Sequence, residues 1–428
     1  MKERRGKAAM SSVLTEDIIE ENILTRLPVK SLSRFRCVSK NWCRLFQNPK
    51  FIKNHLENAI LMNRFNILVT SREFDAFEDT EPLLSIVDND VLSSLPSASS
   101  PFSGHARNID YPFMSRNYMP KILGSSNGLV CIQPRERICI WNPATREYKR
   151  VPKPPSVDSN PDLTFQGFDF DGTFHGFGFD RKNDDYKILR IVNQKSKVSE
   201  ASVYSLTSNS WKNLGLIPYE FSSSTTKGFL LDGVLHWIAD GPCTGQFIPY
   251  VVVCYDISDE TFHHVPFPDV NENDDGYPCI SELGVWEGKL SLLCRYLNED
   301  NDIHTYVDLW TMMDNMWTMH LKITSFVPDV DVEYGIPIQT LHNGEILFQG
   351  GPLTDSGYIG LVSYDPNLER GRALKIHGFP EMSDAEPYIE TLVALGSGTY
   401  VDYPKKSTRS KTKKRKKQIM MTDADQNL

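Results

Sequence analysis

Long hydrophobic runs are missing from this chain of 428 residues. No stretch approaches the roughly 18 uncharged apolar residues that a membrane-spanning helix needs, so none is expected. The opening Met1-Lys-Glu-Arg-Arg leads into no extended apolar segment, which argues against a secretory leader. Cysteine is scattered, at 37, 43, 131, 139, 243, 254, 279 and 294, and never forms a C-x-x-C pair. Cys131, Cys254 and Cys294 lie inside apolar runs. That pattern reads as small buried hydrophobes in a reducing compartment, without disulfides.

Catalytic signatures are missing as well. There is no H-E-x-x-H, no zinc-type Cys/His spacing, no P-loop and no G-x-S-x-G elbow. Gly124-Ser-Ser-Asn-Gly128 lacks the Lys-Ser/Thr that would follow in a phosphate loop, and reads as a turn. His263-His264 is expected beside a strand end, with no partner ligand in view. His236, in a Leu-His-Trp strand, reads as a satisfied core histidine. Nothing brings together two carboxylates, or a nucleophile and a base. No catalytic residue, metal or cofactor is expected.

Charge is unevenly distributed. The net charge is −9, yet residues 405–417 carry nine Lys/Arg and no acid, leaving −18 for the rest. A body of that sign argues against nucleic-acid binding by the main domain.

Glycine is absent from residues 13–57, and proline occurs there only at 28 and 49. Apolar residues recur at helical spacing instead. Ile19, Ile23 and Leu27 step by four; Phe35, Val38, Trp42 and Leu45 step by three, four and three. Thr15 suits an N-cap, with Glu16 and Asp17 in the first turn. Pro28 should end the first helix, Ser39 should cap a short helix carrying Trp42 and Leu45, and Pro49 should open a last segment over 50–57. Three or four helices in about 45 residues form a marginal core. Such a head either binds a partner or caps the larger domain.

From about residue 60 to 400, short apolar strands alternate with Gly, Asn, Asp and Pro turns. Two signatures repeat. One is a polar residue before glycine and then a strand: Asn127-Gly-Leu-Val, Asp232-Gly-Val-Leu, Glu287-Gly-Lys-Leu and Asn343-Gly-Glu-Ile. A further unit lies at Gly176–Asp180 with Asp185–Arg190. The other is a strand ending in an aromatic: Ile140-Trp141-Asn142, Val203-Tyr204-Ser205, Cys254-Tyr255-Asp256, Leu309-Trp310-Thr311 and Ser363-Tyr364-Asp365. A period near 50 with several strands per unit predicts propeller blades. Trp141, Trp211, Trp237, Trp286, Trp310 and Trp317 are then core or inter-blade packing. Residues 65–70 and 83–87 can form a sixth, degenerate blade, closed by a strand at 388–393, which removes an open edge. Six blades are expected, with seven as the alternative.

The head resembles an F-box. Leu27-Pro28-Val29-Lys30-Ser31-Leu32 and Cys37-Val38-Ser39-Lys40-x-Trp42 carry the resemblance, and Arg26 to Phe51 is very close to the plant form. The resemblance implies docking on the Skp-type adaptor of a Skp–cullin–F-box ubiquitin ligase, through Leu14, Ile18, Ile23, Leu27, Pro28, Val29, Leu32 and Val38, with Trp42 and Leu45 nearby. Two departures stand out: Leu14-Thr15 replaces the usual Leu-Pro, and one extra residue lies between Leu14 and Leu27. One added residue turns a helix by about 100°. The body is similar to the plant F-box-associated, kelch-like domains, on Asn142-Pro143-Ala-Thr-Arg146, Asp185-Tyr186-Lys187, Gly233-Val-Leu-His236-Trp237 and Ile389-Glu-Thr-Leu-Val393. Such domains imply an exposed propeller surface that binds a protein target, while bond-making falls to other subunits.

The expected organisation is a disordered basic N-terminus over 1–12, an all-α F-box over 13–57, an all-β, propeller-like domain over 58–400 and a disordered basic tail over 401–428. Lys413, Lys414, Arg415, Lys416 and Lys417 resemble a nuclear-import signal, so nucleus and cytoplasm are the expected locations. Weak nucleic-acid contact is conceivable only through that tail. The expected partners are the adaptor, through it a cullin, and a target protein. The alternatives are a propeller interaction protein outside any ligase and, less favoured, a propeller enzyme.

Overall fold

A computed structural model describes residues 18–72, 82–88, 104–115, 118–155, 172–194, 197–221, 226–242, 250–268, 278–297, 304–323, 332–341, 343–352, 360–374, 376–377 and 381–401. Leu14, Thr15, the basic tail with Lys413–Lys417, and much of the loops 153–165, 219–227, 240–248 and 268–280 lie outside the described residues.

The head opens with a π-helical turn, Ile19–Ile23, in which the Leu24 N–H donates to the Ile19 carbonyl five residues back. A 3-10 turn, Leu24–Arg26, follows. The helices α1 (Val29–Phe35), α2 (Lys40–Leu45) and α3 (Pro49–Leu61) complete it. Ser39 caps α2 as expected, its hydroxyl accepting from the Trp42 N–H at 3.1 Å. Asn48 caps α3 in the same way, and Pro49 takes the first turn, where its missing N–H is harmless. The last helix runs four residues past the expected boundary at 57.

The wide π turn accounts for the extra residue seen in the sequence. A π turn takes up an additional residue locally, so the insertion does not rotate the chain on both sides of it. It also corrects the predicted stripe: Leu24, at 1% exposure, occupies the inner position, while Ile23 faces outward at 41%.

Six four-stranded antiparallel sheets make the body. From inner to outer strand, blade 1 is Lys121–Ser126, Leu129–Gln133, Cys139–Trp141 and Tyr148–Arg150. Blade 2 spans Thr173 to Ile217, blade 3 Phe229 to Pro266, blade 4 Pro278 to Ile323 and blade 5 Val332 to Leu374. Blade 6 joins the two ends of the body: Glu381–Tyr388 is its inner strand, followed by Asn66–Arg72, Pro82–Val87 and Arg107–Asn108. The closing strand therefore lies earlier than the expected 388–393. It pairs antiparallel from Asn66 opposite Tyr388 to Arg72 opposite Glu381, which closes the ring of blades by joining the two ends of the chain in one sheet.

The repeated Gly turns join the first and second strands of a blade. Asn127-Gly128, Asp232-Gly233 and Glu287-Gly288 have positive φ at both positions, the geometry of a tight type I′ hairpin, which glycine adopts freely. The aromatic signatures all fall on third strands. The first two strands of blade 2 are buried on both faces, whereas outer strands such as Ser210–Ile217 and Met316–Ile323 are mostly exposed. That is why apolar runs mark the former and mixed sequence the latter.

The tryptophans pack as expected. Trp141, Trp237 and Trp286 are buried. Trp211 and Trp317, on equivalent outer strands, donate to the carbonyls of Pro152 (3.0 Å) and Pro266 (2.8 Å) of the preceding blade. His263 and His264 correct an expectation: both lie within the outer strand Thr261–Pro266 rather than beside its end, and His264 Nδ1 is 3.0 Å from the Tyr219 hydroxyl.

Candidate docking surfaces of the head and the propeller

The head uses one face to hold the propeller. Leu24, Val29, Leu32, Phe46 and Phe51 form a core that includes Leu392 of the propeller, with Ala144 packed against it. Leu56 and Ala59 of α3 meet Ile389 and Phe65. Leu392 is presented by a polar clamp. The Asn142 side-chain amide donates to the carbonyls of Thr391 (3.1 Å) and Val393 (2.7 Å), while its oxygen accepts from the N–H groups of Ala144 (2.9 Å) and Thr145 (3.2 Å). All four hydrogen-bonding positions of a fully buried amide are thus used. Glu147 accepts from the Leu395 and Ser397 N–H groups, each at 2.8 Å. Gly128 is needed where it stands, because a Cβ there would lie 2.4 Å from Thr391 Cγ2 and 2.6 Å from the Ile389 carbonyl. Two sequence landmarks, around Asn142 and around Ile389–Val393, are therefore halves of one seam.

This seam sorts the expected adaptor-facing residues. Val29 and Leu32, at 1% and 0% exposure, are committed to the head–propeller core and present no surface. Ile18, Ile23 and Val38 are exposed at 43%, 41% and 63%. Pro28 is exposed, and Leu27, Trp42 and Leu45 are half-buried. His55 braces the motif by placing Nε2 2.8 Å from the Leu27 carbonyl, which makes that nitrogen the donor. Burial holds the His55 pKa below the usual imidazole value, against the pull of that hydrogen bond. Leu24, Phe46, Phe51, Ala144 and Leu392 were not singled out from the sequence. Phe46 and Phe51 continue the apolar spacing of the helices, while Ala144 and Leu392 lie inside landmark stretches that do not by themselves signal a contact with the head.

The position of the head also distinguishes the two ends of the propeller. Gly128 is in a first-to-second-strand turn and Ala144 in a third-to-fourth-strand turn, and both touch the seam. In a four-stranded meander these turns share one face. The opposite face therefore carries the second-to-third-strand loops and the connections between blades.

Between the faces, a central cavity of about 520 Å³ is lined by inner strands. Lys227 crosses it, 7% exposed, with Nζ 2.9 Å from Asp384 Oδ1, 3.0 Å from Glu386 Oε2 and 3.1 Å from the Ala385 carbonyl. Burial disfavours the ammonium, but the two carboxylates outweigh it and raise its pKa. His175 and His236 are neutral. Burial, then the charges of Arg190 and Lys121, pushes His175 down to about 3, and burial pushes His236 down to about 4. Burial also pushes the thiols of Cys139 and Cys254 up to about 12, which suits packing rather than reactivity. Among the described residues no three His, Cys, Asp or Glu side chains converge as a metal site.

Helical head and six-bladed body together define an F-box protein with a propeller. The family model of the F-box associated beta propeller domain matches residues 82–396, and that of the F-box domain matches residues 19–54. The chain belongs to the F-box associated beta propeller family, and the relatives it matches are plant F-box proteins. F-box protein CPR1 of Arabidopsis thaliana is 27% identical over 403 residues, covering 88% of each chain. F-box/kelch-repeat protein At3g23880 of the same plant is 27% identical over 339 residues, covering 74% of this chain and 82% of its own. Among solved structures, TolB from Acinetobacter baumannii is 12% identical, with a TM-score of 0.43 over 80% of this chain and 73% of its own.

Proposed function

We propose that this protein is the target-binding subunit of a Skp–cullin–F-box ubiquitin ligase. The observation that carries the reading is the division of the head into two faces. One face is consumed by the propeller seam. The other leaves Ile18, Ile23 and Val38 exposed beside Leu27, Pro28, Trp42 and Leu45. Exposed apolar side chains on a small helical head suit helix-to-helix docking on an adaptor, and the F-box match supports it. The same match favours a receptor over an enzyme, since F-box proteins generally bring a target to the transferase rather than make the bond. Holding a target near the charged conjugating enzyme removes the entropic cost of their encounter.

In this reading the target sits on the propeller face away from the head, where the loops between second and third strands and between blades are displayed. The rigid seam then fixes the direction in which the target points. The test is to purify the protein from proteasome-inhibited plant cells, intact and as Leu27→Ala/Pro28→Ala, and compare ubiquitinated proteins that accompany it. Proteins whose ubiquitination depends on the intact motif support the receptor reading. Equal ubiquitination with both forms assigns the chain to the propeller interaction proteins that work outside a ligase.

A further inference from the structure

On the face away from the head, between blades 6 and 1, lies a cavity of about 310 Å³ lined by Phe113, Met114, Ser115, Pro134, Arg135 and Arg137. The two arginines are exposed and stacked: Arg135 Cζ lies 4.7 Å from the centre of the Tyr118 ring, and Arg137 Cζ 4.9 Å from that of Phe113. Stacking on an aromatic face holds a guanidinium in place and leaves its in-plane N–H donors directed outward. Among the described residues neither guanidinium has a carboxylate partner, although the exposed Glu136 stands between them in the turn.

Two further features mark this turn. Arg135 has φ of 59°, a left-handed conformation that glycine or asparagine adopts more readily. Holding a bulky residue there strains the backbone, and the turn is closed by the Arg137 N–H donating to the Pro134 carbonyl at 3.3 Å. Lys121 stands opposite Gln133 in the same blade, one residue before this turn. Lys121, Arg135 and Arg137 outnumber Glu136 here, in a body that is otherwise strongly acidic.

Resting on the reading of the propeller as target-binding, we propose that this pocket takes an acidic segment of the target protein. A carboxylate or phosphate of the segment accepts from Arg135 and Arg137, and an apolar neighbour packs on Met114, which is 60% exposed. Planar guanidinium forks match either oxyanion bidentately.

The test uses the full-length chain and four pools of fluorescein-labelled nine-residue peptides, degenerate except for a central phosphoserine, glutamate, serine or lysine, followed by anisotropy. The phosphoserine and glutamate pools are expected to bind about tenfold tighter than the serine and lysine pools, and R135Q/R137Q should abolish that preference. Preference for phosphoserine alone identifies phosphate as the source of the charge; equal preference identifies net acidity. The basic tail is common to both proteins, so the difference reads the pocket. Both arginines are exposed, and an unchanged melting temperature confirms that the variant is folded. Equal binding of all pools, or an undiminished preference in R135Q/R137Q, overturns the proposal. So does a single-stranded DNA 12-mer that binds tighter than every pool and loses binding in R135Q/R137Q, since the site then serves nucleic acid. No arm needs the adaptor, so failure of the receptor reading shows separately as lost adaptor binding with these results unchanged.

Discussion

Asn142 grips Leu392 from both sides, its amide donating to the Thr391 carbonyl at 3.1 Å and to the Val393 carbonyl at 2.7 Å. The residue between those carbonyls enters the core of the F-box. A polar clamp on one domain therefore aims an apolar anchor at the other, and the head is a fixed part of the molecule rather than a tethered one.

Breaking this anchor should free the head without unfolding the propeller. Leu392→Ala removes a side chain that is 2% exposed, a change that costs about 2–5 kcal/mol in a packed core. Hydrogen exchange should rise through α1 and α3 while the inner strands of the blades stay protected. Asn142→Leu should act similarly, by leaving two carbonyls and two N–H groups without their side-chain partner.

The π turn makes a prediction about the extra residue. Deleting Asn22 should convert Ile19–Ile23 to regular helix and shift everything before it by about 100°. Ile18 then leaves its position, and adaptor affinity should fall about tenfold or more by calorimetric titration, with the melting temperature of the propeller unchanged. Improved affinity would mean that the turn is a defect rather than an adjustment.

Lys227 gives a stability test. Lys227→Met leaves Asp384 and Glu386 facing each other in the cavity without their cation, a change that typically costs about 3–5 kcal/mol. Adding Asp384→Asn and Glu386→Gln should recover most of the loss in a denaturant titration. A single variant as stable as the parent would show that the ion triad contributes nothing.

Buried neutral histidines set the pH response. In the unfolded chain they take up protons near 6.5, whereas folded His236 and His175 do so only near 4 and 3. The unfolded state therefore binds more protons as pH falls below 6.5, and stability declines from there to about 4 for His236 and about 3 for His175. At pH 5 each histidine costs on the order of 2 kcal/mol. The melting temperature should drop between pH 7.5 and pH 5, and His236→Gln should reduce the drop.

Much of this architecture was legible in the sequence because it repeats. The turns at Gly128, Gly233 and Gly288 and the aromatics on the third strands fixed the blade order, and the apolar spacing outlined the helices. Local pattern misled where a long-range partner decides the outcome. Val29 and Leu32 read as surface anchors by resemblance, but they are buried in a core shared by the head and Leu392. The closing strand lies earlier than local pattern suggests, because Ile389–Val393 is apolar enough to look like a strand, while Glu381–Tyr388, which does pair, is acidic. Leu392 lies in a landmark stretch that signals the propeller but not its contact with the head, and the paired arginines carry no sequence signal, since these contacts depend on residues brought close only by closure of the ring.

Adaptor binding by the exposed side of the head is what makes this protein a ligase subunit in the proposed reading. The most direct measurement is calorimetric titration of the full-length chain with a Skp-type adaptor, comparing the parent, Ile23→Asp/Val38→Asp and the control Leu61→Asp, in which the substituted residue is 83% exposed at the end of α3. The account predicts tight binding by the parent and the control, and loss of at least about 2 kcal/mol in the double variant. Binding by the double variant equal to the parent, or none by the parent, would contradict it.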